Sequence, residues 1–269
     1  MEFFRYGGSL MLLAKTVTKV KTRKISMLYR DFLFILIVLL FLSGLLASQS
    51  VFASSGSFKN SFTQKIGYAY QQQTANFSQA QIAFENQDYV FSARLLNALA
   101  KKGHIQAQYL LATQYDAGLG VTKNENASFY WYKKAAKAGI DIAQHNLAVA
   151  YAKGHGIKAD LSKAITWWKR AAKAGNTDSQ FNLGIVYAAG RGSIKPNMAK
   201  ALKWWRMAAI NGDAVAQFNL GALYANGIGM SSRTCEASRW WKKSAANGFA
   251  QAEKALAVLQ TKQDYDICR

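Results

Sequence analysis

The sequence predicts an all-α fold, an α-solenoid of stacked antiparallel helix pairs. The first observation is that one stretch occurs four times in succession, at residues 104–139, 140–175, 176–212 and 213–248. The second is that each copy contains two runs of apolar residues at helical spacing, and the third is a Gly-x-Gly turn between those runs. A unit of this length buries its apolar face only by stacking on copies of itself, so the chain predicts a solenoid.

The second copy shows how each helix pair is predicted. Ala143, Leu147 and Tyr151 fall on one face of a first helix, which ends at the turn that begins with Gly154. Asp160 is the predicted N-cap of the second helix, because its carboxylate accepts hydrogen bonds from the free backbone N–H groups of the first turn. The next helix pair begins directly after this second helix ends.

Several positions keep one kind of residue in all four copies, which indicates packing between helices. They are the leucines Leu111, Leu147, Leu183 and Leu220, the tyrosines Tyr115, Tyr151, Tyr187 and Tyr224, the small residues Ala112, Ala148, Gly184 and Gly221, and the aromatic pairs Trp131–Tyr132, Trp167–Trp168, Trp204–Trp205 and Trp240–Trp241. Adjacent aromatic rings also suit stacking on carbohydrate. Their place beside two small alanines favours the interior.

The four copies resemble Sel1-like repeats, relatives of the tetratricopeptide repeat, with the form A-x-Q-x-x-L-G/A-x-x-Y-x-x-G-x-G…A-x-x-W-x-x-K/R-A-A-x-x-G. A degenerate half repeat at residues 77–103 precedes them, and a capping helix and tail at residues 249–269 follow. The resemblance implies a right-handed superhelix that serves other proteins as an adaptor or scaffold, generally without catalysis. It implies no particular partner.

The N-terminal region contains a secretion or membrane-anchor signal. Residues 32–46 are uncharged and rich in large aliphatic side chains, and basic residues precede them. This pattern is typical of a signal peptide at residues 1–53 that is cleaved after Ala53, with initiation at Met1 or at Met27. The alternative is an uncleaved anchor in the inner membrane. Both interpretations place the repeats outside the cytoplasm, in the periplasm or beyond, with residues 54–76 as a polar linker or a leading helix.

The two cysteines of the chain are Cys235 and Cys268. Cys235 begins the second helix of the last repeat, and an antiparallel capping helix returns the chain toward it. A disulfide between them is one prediction, since it would hold the end of the solenoid in an oxidising compartment. Two unpaired thiols are the alternative.

Lysines and arginines form columns along the second helices. We call seven of them the basic ridge, which consists of Lys133, Lys134, Lys169, Arg170, Arg206, Lys242 and Lys243. Without residues 1–53 the chain has 27 basic and 12 acidic residues, a formal charge of +15. The ridge suits an acidic protein, an anionic envelope polymer or a membrane surface. The alternative is that these cations only offset the helix macrodipole.

A second predicted binding surface lies on the first helices, where one column changes its residue type. The variable column is Tyr109, His145, Phe181 and Phe218, and the asparagines Asn146, Asn182 and Asn219 lie beside it. Packing constraints would keep one residue type at a position, so a column that varies is the better candidate for partner specificity. The glutamines Gln108, Gln144, Gln180 and Gln217 suit binding of a peptide backbone, or hydrogen bonds to neighbouring turns.

The sequence contains no pattern typical of an active site, a metal site or a cofactor. The histidines lie in different repeats without metal-ligand spacing, and the Gly-x-Gly turns follow helices rather than strands. We therefore expect a non-catalytic scaffold or regulatory adaptor that binds a protein or peptide, and no nucleic acid. The alternative is an envelope structural factor that binds peptidoglycan or another anionic polymer through the basic ridge.

Overall fold

The computed structural model describes residues 56–192, 194–227 and 234–260. It divides the chain into two compact units, of which one ends at Gly103 and the other begins at His104. The predicted apolar segment at residues 32–46, the cleavage site after Ala53 and Cys268 lie outside the described residues. No helix in the described ranges is both long and apolar enough to span a bilayer.

The first unit contains a long helix α1 (Gly56–Glu85) and a short helix α2 (Tyr89–Lys101). Helix α1 continues across the boundary predicted between residues 76 and 77. The Ser92 hydroxyl donates a hydrogen bond of 2.8 Å to the carbonyl of Ala80 and so links the two helices. Leu96 in α2 is buried, whereas Leu95 is partly exposed, which matches the buried and half-buried aromatic pair of the complete repeats.

The second unit contains four helix pairs and a final helix. The pairs are α3 (Ile105–Ala117) with α4 (Glu125–Lys137), α5 (Asp141–Lys153) with α6 (Leu161–Lys173), α7 (Thr177–Ala189) with α8 (Met198–Ile210), and α9 (Ala214–Asn226) with α10 (Thr234–Ala246), and α11 (Ala250–Gln260) follows. Within this unit, helices that follow one another along the chain contact each other. The predicted order of helix pairs is therefore confirmed. An isolated bridge between Arg191 and Ile194 is the single β-type pairing of the described residues.

The N-cap residues of the second helices also close the interhelical turns. The side chains of Asn124, Asp160 and Asn197 each accept a backbone hydrogen bond of 2.9 Å from the residue three positions later. Their own N–H groups donate to the carbonyl oxygens of Tyr115, Tyr151 and Tyr187. The structure thus confirms Asp160 as the N-cap.

The leucine column and the small residues beside it form the interior. The four leucines of the leucine column are fully buried, and they lie beside the small residues of the same helices. A Cβ on Gly184 would overlap the indole of Trp205, and one on Gly221 would overlap the indole of Trp241. Glycine at these two positions therefore lets an aromatic ring lie directly against the helix backbone.

Candidate interaction surfaces

The first helices are the inner layer of the second unit. In α5, for example, all residues from His145 to Tyr151 are buried, because the helix packs against both α4 and α6. A helix that is buried nearly all round is typical of an inner position. The first helices thus present little surface, and most of the exposed side chains belong to the second helices.

The surface position expected for the variable column is wrong for three of its four members. His145 is 0% exposed, Phe181 is 6% exposed and Tyr109 is 7% exposed, and only Phe218 keeps part of its surface. Burial also raises the pKa of the Tyr109 hydroxyl. The variation among these residues therefore reflects different packing partners rather than an exposed recognition surface.

The contacts of the variable column show those packing partners. The ring centroids of Tyr109 and Tyr132 lie 6.2 Å apart, and Phe218 stacks on Trp241 at the same centroid distance. His145 instead reaches the next repeat, where its Nδ1 atom and the hydroxyl of Ser179 share a hydrogen bond of 2.8 Å. The sequence signal is that Ser179 replaces the alanine that the other three repeats have at this position.

Most of the asparagines beside the variable column are buried as well. Asn146 and Asn182 are buried, and Asn219 is partly exposed. A surface position is therefore wrong for the first two residues as well. Of the predicted partner-binding residues, Phe218 and Asn219 alone are partly accessible, at the last repeat.

The repeated glutamines bond the end of the preceding helix. The side-chain amides of Gln144, Gln180 and Gln217 donate to the carbonyl oxygens of Ala136, Ala172 and Ala209 at 3.2, 3.0 and 2.9 Å. Each bond joins a first helix to the second helix of the repeat before it. Of the two interpretations, hydrogen bonding to neighbouring turns is thus the one that the structure contains.

Asparagine side chains complete this amide bridge in the last two repeats. Asn211 donates to the Oε1 atom of Gln180 at 3.0 Å, and Asn247 donates to that of Gln217 at 2.9 Å. The second repeat has Ala174 at the equivalent position. The Oε1 atom of Gln144 is accordingly buried without a hydrogen-bond partner among the described residues.

All seven residues of the basic ridge are exposed on the second helices. Helices α4, α6, α8 and α10 together contain 13 lysines and arginines and two acidic residues. Helices α3, α5, α7 and α9 contain one lysine and three aspartates. The positive charge of the repeats is therefore concentrated on one of the two helix layers.

The aromatic pairs are divided between interior and surface. The second member of each pair is buried and the first is half-buried. Cations already lie over two of the half-buried indoles, since Arg170 is 4.5 Å from the ring centroid of Trp167 and Lys243 is 4.8 Å from that of Trp240. A sugar ring would have to displace these side chains to stack there, which favours packing over carbohydrate binding.

Cations of neighbouring repeats converge on Tyr187. The Lys169 ammonium lies 5.9 Å from the centre of the Tyr187 ring, and the Lys200 ammonium lies 5.4 Å from it. We call Lys169, Tyr187 and Lys200 the Tyr187 seam. At the next junction, Arg206 of the third repeat donates a hydrogen bond of 2.8 Å to the hydroxyl of Tyr224 in the fourth repeat. Sequence reasoning missed Lys200, although Lys163 aligns with it.

Of the two cysteines in the predicted disulfide, the structure describes Cys235. Cys235 is half-buried at the start of α10 and is disulfide-bonded. Its predicted pairing with Cys268 stays a prediction, because Cys268 lies outside the described residues. In the described part of the chain, no three His, Cys, Asp or Glu side chains are grouped closely enough to hold a metal ion.

Comparison with protein families identifies the repeat. The family model described as Sel1 repeat matches residues 105–140, 141–176, 177–213 and 214–249. Each matched range begins one residue after the corresponding unit predicted from the sequence. The resemblance to Sel1-like repeats is therefore confirmed.

Solved structures with similar folds agree with this match. A Sel1 repeat protein from Oxalobacter formigenes is 31% identical with a TM-score of 0.62, over 68% of this chain and 72% of that one. The protein c5321, a protective antigen present in uropathogenic Escherichia coli strains that displays an SLR fold, is 27% identical with a TM-score of 0.68. That alignment covers 73% of this chain and 43% of c5321, so this chain spans less than half of it. No curated protein sequence matches the chain.

Proposed function

The chain belongs to the Sel1 repeat family, and we propose that it is an exported, non-catalytic adaptor of the cell envelope. Sel1 repeat proteins generally mediate protein–protein interaction. To this general role of the family, our proposal adds the location in the cell envelope and the adaptor role there.

The division between a uniform interior and a varied exterior is the observation on which the proposal depends. Leucines and small residues repeat inside every helix pair, so stacking requires them. The exposed residues of the second helices differ among the repeats, for example Tyr130, Thr166, Lys203 and Arg239 at one equivalent position. A rigid stack with a varied outer face is suited to binding another macromolecule over an extended area.

Two observations support the cell-envelope location. The apolar residues 32–46 follow a basic segment, as in exported proteins. Cys235 is disulfide-bonded, and disulfides persist mainly in oxidising compartments such as the periplasm. Alkaline phosphatase fused after Gln260 tests the location, because this enzyme is active only after export. An active fusion supports the proposal, and a fusion that is active only when residues 1–53 are replaced by a known export signal contradicts it.

Crosslinking of the full-length protein in its native host, followed by affinity capture and mass spectrometry, tests the scaffold role. We expect a discrete protein at a constant ratio to this chain. A matched strain that expresses Leu147→Asp supplies the control, because a carboxylate at this fully buried position disrupts the stack. Equal recovery of the partner with both chains would contradict binding by the folded repeats.

The concentration of cations on the second helices favours one alternative function. Thirteen basic residues against two acidic ones suit a linear anionic polymer such as peptidoglycan with its attached polyanions. Sedimentation of the protein with purified cell wall tests this function. Salt-sensitive sedimentation that needs no other protein would favour it over the adaptor.

A further inference from the structure

We infer that the second-helix face of repeats two to four binds an acidic segment of a partner protein, and that this segment has an apolar residue at its centre. The inference rests on the proposed scaffold function and specifies the surface and the chemistry of the partner. Three observations lead to it, namely two cations beside one ring, the absence of an ion pair to either of them among the described residues, and an apolar interruption in the third repeat.

The Tyr187 seam brings like charges together. Because both ammonium groups lie within 6 Å of one ring centre, Lys169 and Lys200 are separated by no more than the sum of 5.9 and 5.4 Å. They belong to different repeats, α6 and α8, and meet because the repeats stack. Tyr187 itself is buried, so its ring is held in place next to both cations.

No ion pair in the described part of the chain joins an acidic side chain to this seam. Ion pairs there include Lys163 with Asp160 and Arg239 with Glu236, each at one helix end. Neither pair includes Lys169 or Lys200. Two like charges within this limit repel each other, most strongly at low salt, and a carboxylate that lies near both would be attracted to both.

The third repeat interrupts the row of cations with apolar side chains. Met207 occupies the position of Lys134, Arg170 and Lys243, and Ile210 occupies that of Lys137 and Lys173. Ile210 is 69% exposed, and Met207, one helical turn before it, is partly exposed. The face therefore presents cations in repeats two and four, and in repeat three an apolar patch that follows Lys200, Lys203 and Arg206 along α8.

This order of side chains favours a polypeptide over other anions. A uniform polyanion would bind better to a surface with a cation at every repeat. Met207 and Ile210 would therefore weaken its binding. A sugar polymer would have to displace Arg170 and Lys243 to stack on the indoles. Binding to a membrane surface would need several exposed apolar side chains that can enter the bilayer. On α8, Ile210 is the one large apolar side chain that is strongly exposed.

Fluorescence anisotropy with two synthetic peptides tests the inference on the full-length protein in a neutral detergent. One peptide has glutamates on both sides of a leucine pair, and the other is glutamate throughout at equal length. We expect the leucine-centred peptide to bind more tightly, and both affinities to fall as salt is added. Binding of neither peptide at low salt overturns the inference.

Charge reversal identifies the surface. Lys169→Glu with Lys200→Glu should weaken binding of both peptides by about tenfold or more, because attraction becomes repulsion. Lys158→Glu with Lys195→Glu is the matched control, since it changes the net charge equally at exposed turn positions of the same two repeats. Equal weakening by both pairs overturns the inference. Lys169→Gln with Lys200→Gln replaces the first pair if its thermal unfolding differs from that of the unsubstituted protein.

Ile210→Lys separates a polypeptide site from a general polyanion site. The inference predicts weaker binding of the leucine-centred peptide and tighter binding of the all-glutamate peptide. Tighter binding of both peptides would show a polyanion surface and would overturn the inference. If neither peptide binds while in-cell crosslinking still captures a stoichiometric partner, the inference is wrong and the scaffold function stands.

Discussion

Gly184 and Gly221 show how a single missing Cβ determines the packing of a repeat. Trp205 and Trp241 occupy the space that an alanine methyl group would need. We predict that Gly184→Ala lowers the free energy of unfolding by about 1–3 kcal/mol, because a rigid, buried indole must move. Chemical denaturation measures the change. Gly67 in α1 is the control, since nothing lies within 4 Å of its added Cβ, and alanine there should stabilise the helix by about 0.5–1 kcal/mol. A gain in stability from Gly184→Ala would contradict the packing described.

The second repeat lacks an asparagine that the third and fourth repeats use. Ala174 has φ and ψ of −78° and −1°, close to the −80° and 10° of Asn211. We predict that Ala174→Asn adds a hydrogen bond to the Oε1 atom of Gln144 and raises the free energy of unfolding by about 0.5–1.5 kcal/mol. Adding Ala174→Asn to a Gln144→Ala background is the control. A gain of equal size in that background would show that the new side chain acts elsewhere.

The roles of these amides were only partly predictable from the sequence. The glutamine column suited two interpretations, because one-dimensional spacing does not show that the amide lies near a carbonyl of the preceding helix. The N-cap role of Asp160 was predictable, because capping depends only on residues three positions apart. Interactions within one turn are thus accessible to sequence reasoning, and those between repeats are less so.

At the scale of elements, the first helices differ from the second helices in what surrounds them. Helices α5, α7 and α9 each lie between two second helices and are buried on most sides, whereas the second helices have an exposed outer stripe. From the sequence alone, residue variation in the first helices suggests a recognition surface. It instead follows the partner across each contact, which the pair of His145 and Ser179 shows.

Alanine substitution of Phe181 and of Phe218 tests whether each position belongs to the interior or to the surface. Phe181→Ala should lower the free energy of unfolding by about 3–5 kcal/mol, since the ring is 6% exposed in the interior. Phe218→Ala should have a smaller effect, because Phe218 is partly exposed next to the capping helix. Thermal unfolding reports both variants. Unchanged melting with weaker partner binding would restore the surface role that the sequence suggested.

A double-mutant cycle tests whether His145 and Ser179 form a matched pair between repeats. His145→Phe and Ser179→Ala each break the buried hydrogen bond, and together they restore the residue types of the neighbouring repeats. We predict a coupling energy of about 0.5–3 kcal/mol between the two substitutions. Purely additive effects would show that the hydrogen bond does not contribute to the packing of the second repeat on the third.

At the scale of the whole molecule, the repeats combine a stacked apolar interior with an asymmetric distribution of charge. The buried cluster extends without interruption from Tyr109 to Leu223, and a smaller one lies beneath the final helix. The repeat period was sufficient to predict this stack and the exposure of the basic ridge. The convergence of Lys169 and Lys200 on one ring was not predictable, because it depends on how adjacent repeats are stacked.

A photo-crosslinking residue placed on each helix layer tests the central claim most directly, which is that this solenoid binds a partner protein through its second helices. Lys203 on α8 and Ala189 on α7 are both exposed and belong to the same repeat. With a benzoylphenylalanine at position 203, irradiation of living cells should give one discrete crosslinked protein. The same residue at position 189 should give little or none. Crosslinking from position 189 alone, or from neither position, would contradict the claim.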